Sequence, residues 1–144
     1  MIGVIFILLL LMGCDIQTAE PEIHLIPQEF IGHIVLYFDV PDGSSPQREA
    51  EARLYKIPDS GQLSNSFAPN IGIRPHNSMH FYYVNMQGQR TSIPLRSAPK
   101  LTPETIVVSN TYIFNKELHY FVDRLDRIDT YKNPAIDDSE RQWK

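Results

Sequence analysis

The segment EFIGHIVLYFDVPDG, residues 29–43, carries the clearest secondary-structure signal in the chain. Apolar side chains fall on one parity within it: Phe30, Ile34, Leu36, Phe38 and Val40. This period-2 spacing of aromatic and aliphatic residues predicts a strand with one buried face. Gly32 interrupts that face and indicates a bend, a bulge or a close backbone approach. Pro41-Asp42-Gly43 predicts the turn that follows, because proline presets φ and glycine accepts a positive φ.

Similar patterns continue towards the carboxyl end. Further strands are predicted at residues 49–57, 79–85, 89–95 and 105–114, the last interrupted at Ser109-Asn110. The second and third of these flank a turn at Met86-Gln87-Gly88 and therefore predict a hairpin. Residues 62–78 are polar and irregular, which predicts a long surface loop with a short strand near Leu63.

The last regular element has a different spacing. Asn115 is a suitable helix N-cap, and apolar residues follow it at helical intervals: Leu118, Phe121, Val122, Leu125 and Ile128. This pattern predicts an amphipathic helix over 116–129, with a strand through residues 120–122 as the alternative. Short turns favour antiparallel pairing, because parallel strands need long crossovers. The predicted fold is mainly β: an antiparallel, sandwich-like domain over residues 23–131 with a C-terminal amphipathic helix.

The chain opens with MIGVIFILLLLMGCDIQ, residues 1–17. The apolar run is shorter than the roughly 20 residues that a membrane span needs, and it lacks the polar face of a core helix. It fits the apolar region of a signal peptide. Leu11-Met12-Gly13-Cys14 resembles the bacterial lipobox, although Met12 is bulkier than usual and no Lys or Arg precedes the run. A plain signal peptide or a tail anchor is the alternative.

The lipobox resemblance implies cleavage before Cys14 and a lipid on its sulfur. The predicted organisation is a signal peptide at 1–13, a tether at 14–22, the β-rich domain and a polar tail at 132–144. Cys14 is the only cysteine, so no intrachain disulfide can form, and lipidation accounts for an unpaired thiol. The predicted location is the cell envelope, with the domain on the extracytoplasmic side of a bacterial membrane, periplasmic or at the surface.

Composition argues against several classes of function. The net charge is −4, and Lys and Arg are scattered, so the basic stripe of a nucleic-acid-binding surface is missing. His76 and His80 would lie about 13 Å apart on a strand, too far to share an ion. We therefore expect no metal and no cofactor. The sequence also lacks a nucleophile elbow and a phosphate-binding glycine loop, so no catalytic residue is predicted and an enzyme is not expected.

The histidines His24, His33 and His119 are expected to be solvated or hydrogen-bonded at the surface. The best candidates for binding lie elsewhere. In Phe81-Tyr82-Tyr83, alternation places Phe81 and Tyr83 on one face, and His80, Tyr82 and Val84 on the other. One set can complete the core while the other covers the sheet or binds a partner. The predicted binding surface comprises Tyr82, His80 and three residues of the 62–78 loop, Asn70, Arg74 and His76.

Two short motifs occur in the first two thirds of the chain. The first is Leu25-Ile26-Pro27 followed by Phe30-Ile31-Gly32, an IPxx[YF]xG strand. The second is Tyr55-Lys56-Ile57-Pro58 followed by Ser60-Gly61, a YxIPxxG turn. Together they resemble an uncharacterised domain family of small bacterial lipoproteins, and the similarity extends to Arg90. The resemblance implies a β-rich fold and an envelope location, and no catalytic residue carries over.

The predicted function is a membrane-anchored, non-enzymatic binding or accessory module. Its partners would be the membrane, through Cys14, and an envelope protein. An immunity or inhibitor lipoprotein that blocks a toxin or hydrolase is the alternative, and a small envelope hydrolase is the third hypothesis.

Overall fold

The structure, a computed structural model, describes residues 16–131. The predicted signal peptide, the predicted lipid attachment point Cys14 and the predicted polar tail at 132–144 lie outside the described residues. The strands are β1 Glu22–Pro27, β2 Gly32–Tyr37, β3 Arg48–Glu49, β4 Ala52–Lys56, β5 Gln62–Ser64, β6 Met79–Val84, β7 Arg90–Ser92, β8 Ile106–Val108, β9 Tyr112–Phe114 and β10 Glu117–Arg124. A short 3-10 helix, Ile128–Thr130, follows β10.

These strands form two sheets that pack face to face. The first sheet has the order β3-β4-β1-β6-β7, and the second has the order β5-β2-β10-β8, with β9 also paired to β10. The core between them takes side chains from both sheets, including Ile26 and Phe81 from the first and Leu36 and Tyr120 from the second. The rings of Phe81 and Tyr120 lie 5.1 Å apart across this interface. The mainly β fold is therefore confirmed.

The predicted alternation along β2 is confirmed. Ile34, Leu36 and Phe38 are buried in the core between the sheets. Gly32 begins the strand with φ of +132°, a backbone conformation that only glycine adopts without strain. The predicted hairpin is also present, since β6 pairs antiparallel with β7. The sequence patterns thus identified β2, β6 and β7, but not β1 or β10, which also carry core residues.

The antiparallel prediction is wrong, because both sheets are mixed. β1 pairs in parallel with β4 and β6, and β2 pairs in parallel with β5. The short turns led to the error because they join strands of different sheets. The chain leaves the first sheet after β1, forms β2 in the second sheet, and returns as β3 and β4. A strand of the opposite sheet therefore serves as the crossover that parallel neighbours require.

The predicted C-terminal amphipathic helix is also wrong. Residues Glu117–Arg124 form β10, and the only helix in the described part of this region is the 3-10 helix. β10 is a central strand that is buried on both faces: Leu118, Tyr120 and Val122 face the main core, while Phe121 packs with Val107 and Ile128 on the other side. A strand buried on both faces shows no alternation, so its apolar residues also match a helical spacing. The alternative of a strand through residues 120–122 is confirmed.

The first sheet begins earlier in the chain than its sequence patterns indicated. Thr18 forms a parallel bridge with Ile73, and the Ala19 amide donates to the Ile73 carbonyl at 2.9 Å. Ala19 is buried, and Glu22 starts β1 at the centre of the sheet. Residues 18–22, placed in the predicted tether, thus contact the domain and fix one end of the 65–78 loop.

Candidate functional site

A groove lies where the segment that leads into β6 meets the connection between β8 and β9. Its volume is about 400 Å³, and it is lined by residues 74–79, Leu95 and residues 109–111. We call it the Arg74 groove. A neighbouring depression of about 300 Å³ shares His76, Asn77, Met79 and Leu95 with it and continues past His80. The two are contiguous, and we call them together the concave end of the sandwich.

Arg74 lies at the groove surface with few of its donors in use. Its side chain is 26% exposed, and both terminal nitrogens lie 3.5 Å from Oε1 of Glu22. Nη2 also approaches the Asn70 carbonyl at 3.4 Å, whereas Nη1 is buried and makes no hydrogen bond within the described residues. A guanidinium has five N–H donors, and charge-assisted bonds are normally about 2.7–2.9 Å long. Arg74 is therefore held loosely.

Ser78 adds a second unsatisfied group to the same groove. The residue is 7% exposed, and its hydroxyl is buried without a hydrogen-bond partner in the described part of the chain. Its backbone is satisfied, since the Ser78 carbonyl accepts from the Glu22 amide at 2.8 Å. A buried polar group left without a partner costs roughly 1–3 kcal/mol. Arg74 and Ser78 thus line the groove, and each has one buried polar atom that makes no hydrogen bond in the described structure.

Glu22 connects the groove to a chain of buried polar groups. Its Oε2 lies 3.0 Å from Nε2 of His24, and the other ring nitrogen of His24 lies 3.0 Å from the Tyr120 hydroxyl. Glu22, His24 and Tyr120 are all 0% exposed. Burial alone would raise the pKa of Glu22, but the hydrogen bond and charge of His24, with Arg74 and Asn70, bring the pKa below its usual range. The carboxylate is therefore ionised inside the core.

Asn70 is a structural residue of this region. Its Nδ2 donates to Glu22 Oε1 at 2.6 Å and to the Glu20 carbonyl at 2.8 Å, and its Oδ1 accepts from the Glu20 amide at 2.8 Å. These bonds tie the loop to the segment that precedes β1. Asn70 is 3% exposed, so it positions the loop and is not open to a partner.

The structure thus brings three of the predicted binding residues to the concave end, and Asn70 lies behind it. Arg74 and His76 line the groove, and His80 lines the neighbouring depression. Tyr82 lies apart, half-buried on the outer face of the first sheet beneath the guanidinium of Arg90, 5.9 Å from the ring centre. The predicted alternation is confirmed here, since Phe81 and Tyr83 are in the core.

The expectation of surface histidines is wrong for His24 and His119. His24 is fully buried between the sheets, and His119 is 6% exposed because the ring of Tyr112 stacks over it at 5.4 Å. His33 Nε2 lies 3.1 Å from His119 Nδ1, and His119 Nε2 lies 2.8 Å from Glu117. Burial, with the charge of His119, lowers the pKa of His33. Across residues 16–131, no group of three or more metal-ligating side chains has the arrangement of an ion site.

Sequence reasoning missed Glu22, Ser78, Asn110 and Thr111. A signal for the first was present: Glu22, His24 and Ile26 share one parity, as expected for the inner face of a strand. Ser78, Asn110 and Thr111 carry no local signal, because they reach the groove only through the packing of the two sheets.

Comparison with known proteins gives a family and a fold. A family of unknown function, DUF6843, matches residues 18–130. No curated protein matches the sequence. The 2.75 Å crystal structure of a candidate lipoprotein from Bacillus anthracis is similar, with a TM-score of 0.55 and 20% identity over 88% of this chain and 92% of that one. That identity shows a shared fold alone.

Among residues 16–131, no helix has the length and apolar character that a membrane crossing requires. The lipobox-like residues 11–14 precede the segment matched by the family. Since the match extends from the Thr18 bridge through β1 to the 3-10 helix after β10, it covers both sheets. The expected membership of an uncharacterised family is confirmed at this level: the chain belongs to the family of unknown function DUF6843.

Proposed function

We propose that this protein is a lipid-anchored, extracytoplasmic binding module without catalytic activity, and that it binds its ligand in the Arg74 groove. The observation that carries the proposal is the composition of that groove: among the described residues that line it, Arg74 contributes a guanidinium that is 26% exposed, and no residue contributes a carboxylate. Arg74 makes only long contacts, at 3.4–3.5 Å, within the described structure, so it keeps N–H donors that a ligand can use.

The anchor rests on Cys14. The lipobox-like Leu11-Met12-Gly13-Cys14 supports it, and so does the shared fold with the candidate lipoprotein from Bacillus anthracis. Buried acyl chain contributes about 0.8 kcal/mol per methylene, and two or more chains hold a protein on a membrane stably. The domain would then present its groove close to the membrane that carries it.

Burial of the polar chain favours binding over catalysis. The order carboxylate, imidazole, hydroxyl in Glu22, His24 and Tyr120 is that of a catalytic relay. All three side chains are fully buried between the sheets, however, so a substrate could reach none of them. Their hydrogen bonds instead join β1 of the first sheet to β10 of the second.

Phase partition in Triton X-114 tests the anchor. The wild-type protein expressed in a bacterial host should enter the detergent phase, and intact-mass analysis should show the diacylglyceryl group. Cys14→Ala should lose the lipid mass, whereas the nearby control Gln17→Ala should keep it. An unmodified Cys14 in wild-type protein would contradict the anchor.

Capture from the native envelope tests the binding role. Solubilised wild-type protein and the variants Arg74→Gln and Arg90→Gln would be compared for bound envelope components. Both variants remove one positive charge, but Arg90 lies on the outer face of the first sheet, paired with Glu49 at 2.7 Å. Loss of a captured component in Arg74→Gln but not in Arg90→Gln supports the proposal. Equal capture by all three proteins would contradict it, and the identity of a captured toxin or hydrolase would establish the inhibitor hypothesis.

A further inference from the structure

We infer that the Arg74 groove recognises a carboxylate group that is attached to a short aliphatic group, as at the C-terminus of a peptide. The inference rests on the proposed binding function and deepens it by naming the chemistry of the ligand.

The charge of the groove points to an anion. Among the described residues that line it, Arg74 contributes a guanidinium and none contributes a carboxylate. Glu22 lies behind Arg74, but its oxygens are already engaged at short distances, Oε1 by Asn70 at 2.6 Å and Oε2 by His24 at 3.0 Å. The contact between Glu22 and Arg74 is long, at 3.5 Å. Arg74 therefore forms a long ion pair with Glu22 and keeps N–H donors that a second anion can use.

The hydrogen-bonding groups fit a carboxylate. Arg74 and Ser78 both line the groove, and Nη1 of Arg74 and the Ser78 hydroxyl are buried atoms that make no hydrogen bond in the described structure. A carboxylate offers about four acceptor positions on two oxygens, so it can accept from a guanidinium and a hydroxyl together. Both side chains have to turn towards the opening to form these bonds, and the exposed fraction of 26% places the Arg74 side chain at that surface.

The walls of the groove select what is attached to the carboxylate. Pro75, Met79 and Leu95 give the lining apolar groups, while Asn110 and Thr111 add polar ones, and the Thr111 hydroxyl donates to Sδ of Met79 at 3.7 Å. An aliphatic side chain can lie against the first set, and a backbone amide can bond to the second. Phosphate fits less well, because its higher charge would be matched by one guanidinium only.

Calorimetric titration tests the inference with a matched pair of probes. N-acetyl-leucine carries the free carboxylate, and N-acetyl-leucinamide has the same shape without the charge. A hydrogen bond to a charged group contributes about 1.5–3 kcal/mol, so we expect the acid to bind at least about tenfold more tightly than the amide. Equal affinity for acid and amide, or tighter binding of inorganic phosphate than of the acid, would overturn the inference.

Substitutions of groove residues test whether N-acetyl-leucine binds in the Arg74 groove. Arg74→Gln should weaken binding of N-acetyl-leucine by about tenfold or more, and Arg90→Gln should leave it unchanged. Ser78→Ala should weaken the binding of N-acetyl-leucine several-fold without lowering the stability of the protein. A loss of affinity in this variant can therefore be told apart from a loss of folding. Unchanged affinity in both Arg74→Gln and Ser78→Ala would overturn the inference.

The two proposals fail in different ways. If the acid probe does not bind while envelope capture still depends on Arg74, the carboxylate inference is wrong and the binding function stands. If capture is independent of Arg74 as well, the binding function is wrong too.

Discussion

The two sides of Glu22 differ in a way that separates folding from binding. On the inner side, Oε2 bonds to His24 at 3.0 Å, His24 bonds to Tyr120 at 3.0 Å, and none of the three residues is exposed. On the outer side, Arg74 lies 3.5 Å from Oε1, is partly exposed, and lines the same groove as Ser78, whose hydroxyl has no hydrogen-bond partner in the described structure. The inner groups are hydrogen-bonded within the protein, whereas the outer groups line the groove to which we assign the proposed ligand.

The largest effect is expected on the inner side. Glu22→Ala should destabilise the domain by about 3–5 kcal/mol, because it leaves His24 and Asn70 buried without the charge that they bond. Urea unfolding followed by far-ultraviolet circular dichroism gives the free energy of unfolding. Glu49→Ala, which breaks only an exposed pair with Arg90, is the matched control and should change stability far less. Similar losses of stability in Glu22→Ala and Glu49→Ala would show that the buried carboxylate contributes no more to folding than an exposed one.

Tyr120→Phe should have the next largest effect. It deletes the hydroxyl that bonds Nδ1 of His24 while keeping the ring, so about 1–3 kcal/mol of stability should be lost. Tyr82→Phe, on the outer face of the first sheet, controls for the change of residue type. Equal stability of Tyr120→Phe and wild-type protein would show that the buried chain contributes nothing to the fold.

The pH dependence of stability tests whether Glu22 is ionised in the folded protein. The pKa of Glu22 is lowered from 4.5, so the folded protein binds fewer protons than the unfolded chain in the acid range. The stabilisation from Glu22 is therefore fully present above about pH 4.5 and is lost as the pH falls through the lower folded value. Unfolding free energies between pH 7 and pH 3 should fall more steeply for wild-type protein than for Glu22→Gln. Parallel curves would contradict an ionised Glu22 in the core.

The smallest effect is expected from Ser78 at the groove, and Ser109, which lines the same groove, is the comparison. Ser78→Ala removes a buried hydroxyl that makes no hydrogen bond in the described structure, so stability should stay the same or rise slightly. Ser109→Ala removes a hydroxyl that donates to Asn110 and accepts from the Phe121 amide, both at 2.9 Å, so about 1–3 kcal/mol should be lost. Thermal unfolding of the two variants compares them directly. A loss at Ser78 equal to that at Ser109 would mean that the Ser78 hydroxyl is used by the fold.

Local patterns were sufficient for strands such as β2 and β6, but not for β1 or β10, and not for the arrangement of the strands. Ile34, Leu36 and Phe38 alternate because β2 has one face in the main core, and that alternation is visible in the sequence. β10 is buried on both faces, so apolar and polar residues do not alternate along it. Phe121 and, just after the strand, Leu125 therefore fall at helical spacing. The parallel pairing of β1 with β6 depends on which sheet each intervening strand joins, and no local pattern carries that information.

The site could be predicted only in part for the same reason. Arg74 and His76 were identified because a polar loop is a natural place for binding residues. Their surroundings come from far along the chain: Asn70 meets Glu22 across 48 positions, and His24 meets Tyr120 across 96. The alternation of residues places Glu22 and His24 on one face of β1, but only the packing of the two sheets shows that this face is buried from solvent.

The most direct test of the groove is where the probe binds. N-acetyl-leucine titrated into isotope-labelled protein should shift the backbone amide resonances of Ser78, Met79, Asn110 and Thr111, and should leave those around Tyr82 and His33 unchanged. The same titration of Arg74→Gln should produce little change anywhere. Shifts centred on the outer face of either sheet, or none at the groove in wild-type protein, would contradict the assignment of the Arg74 groove as the binding site.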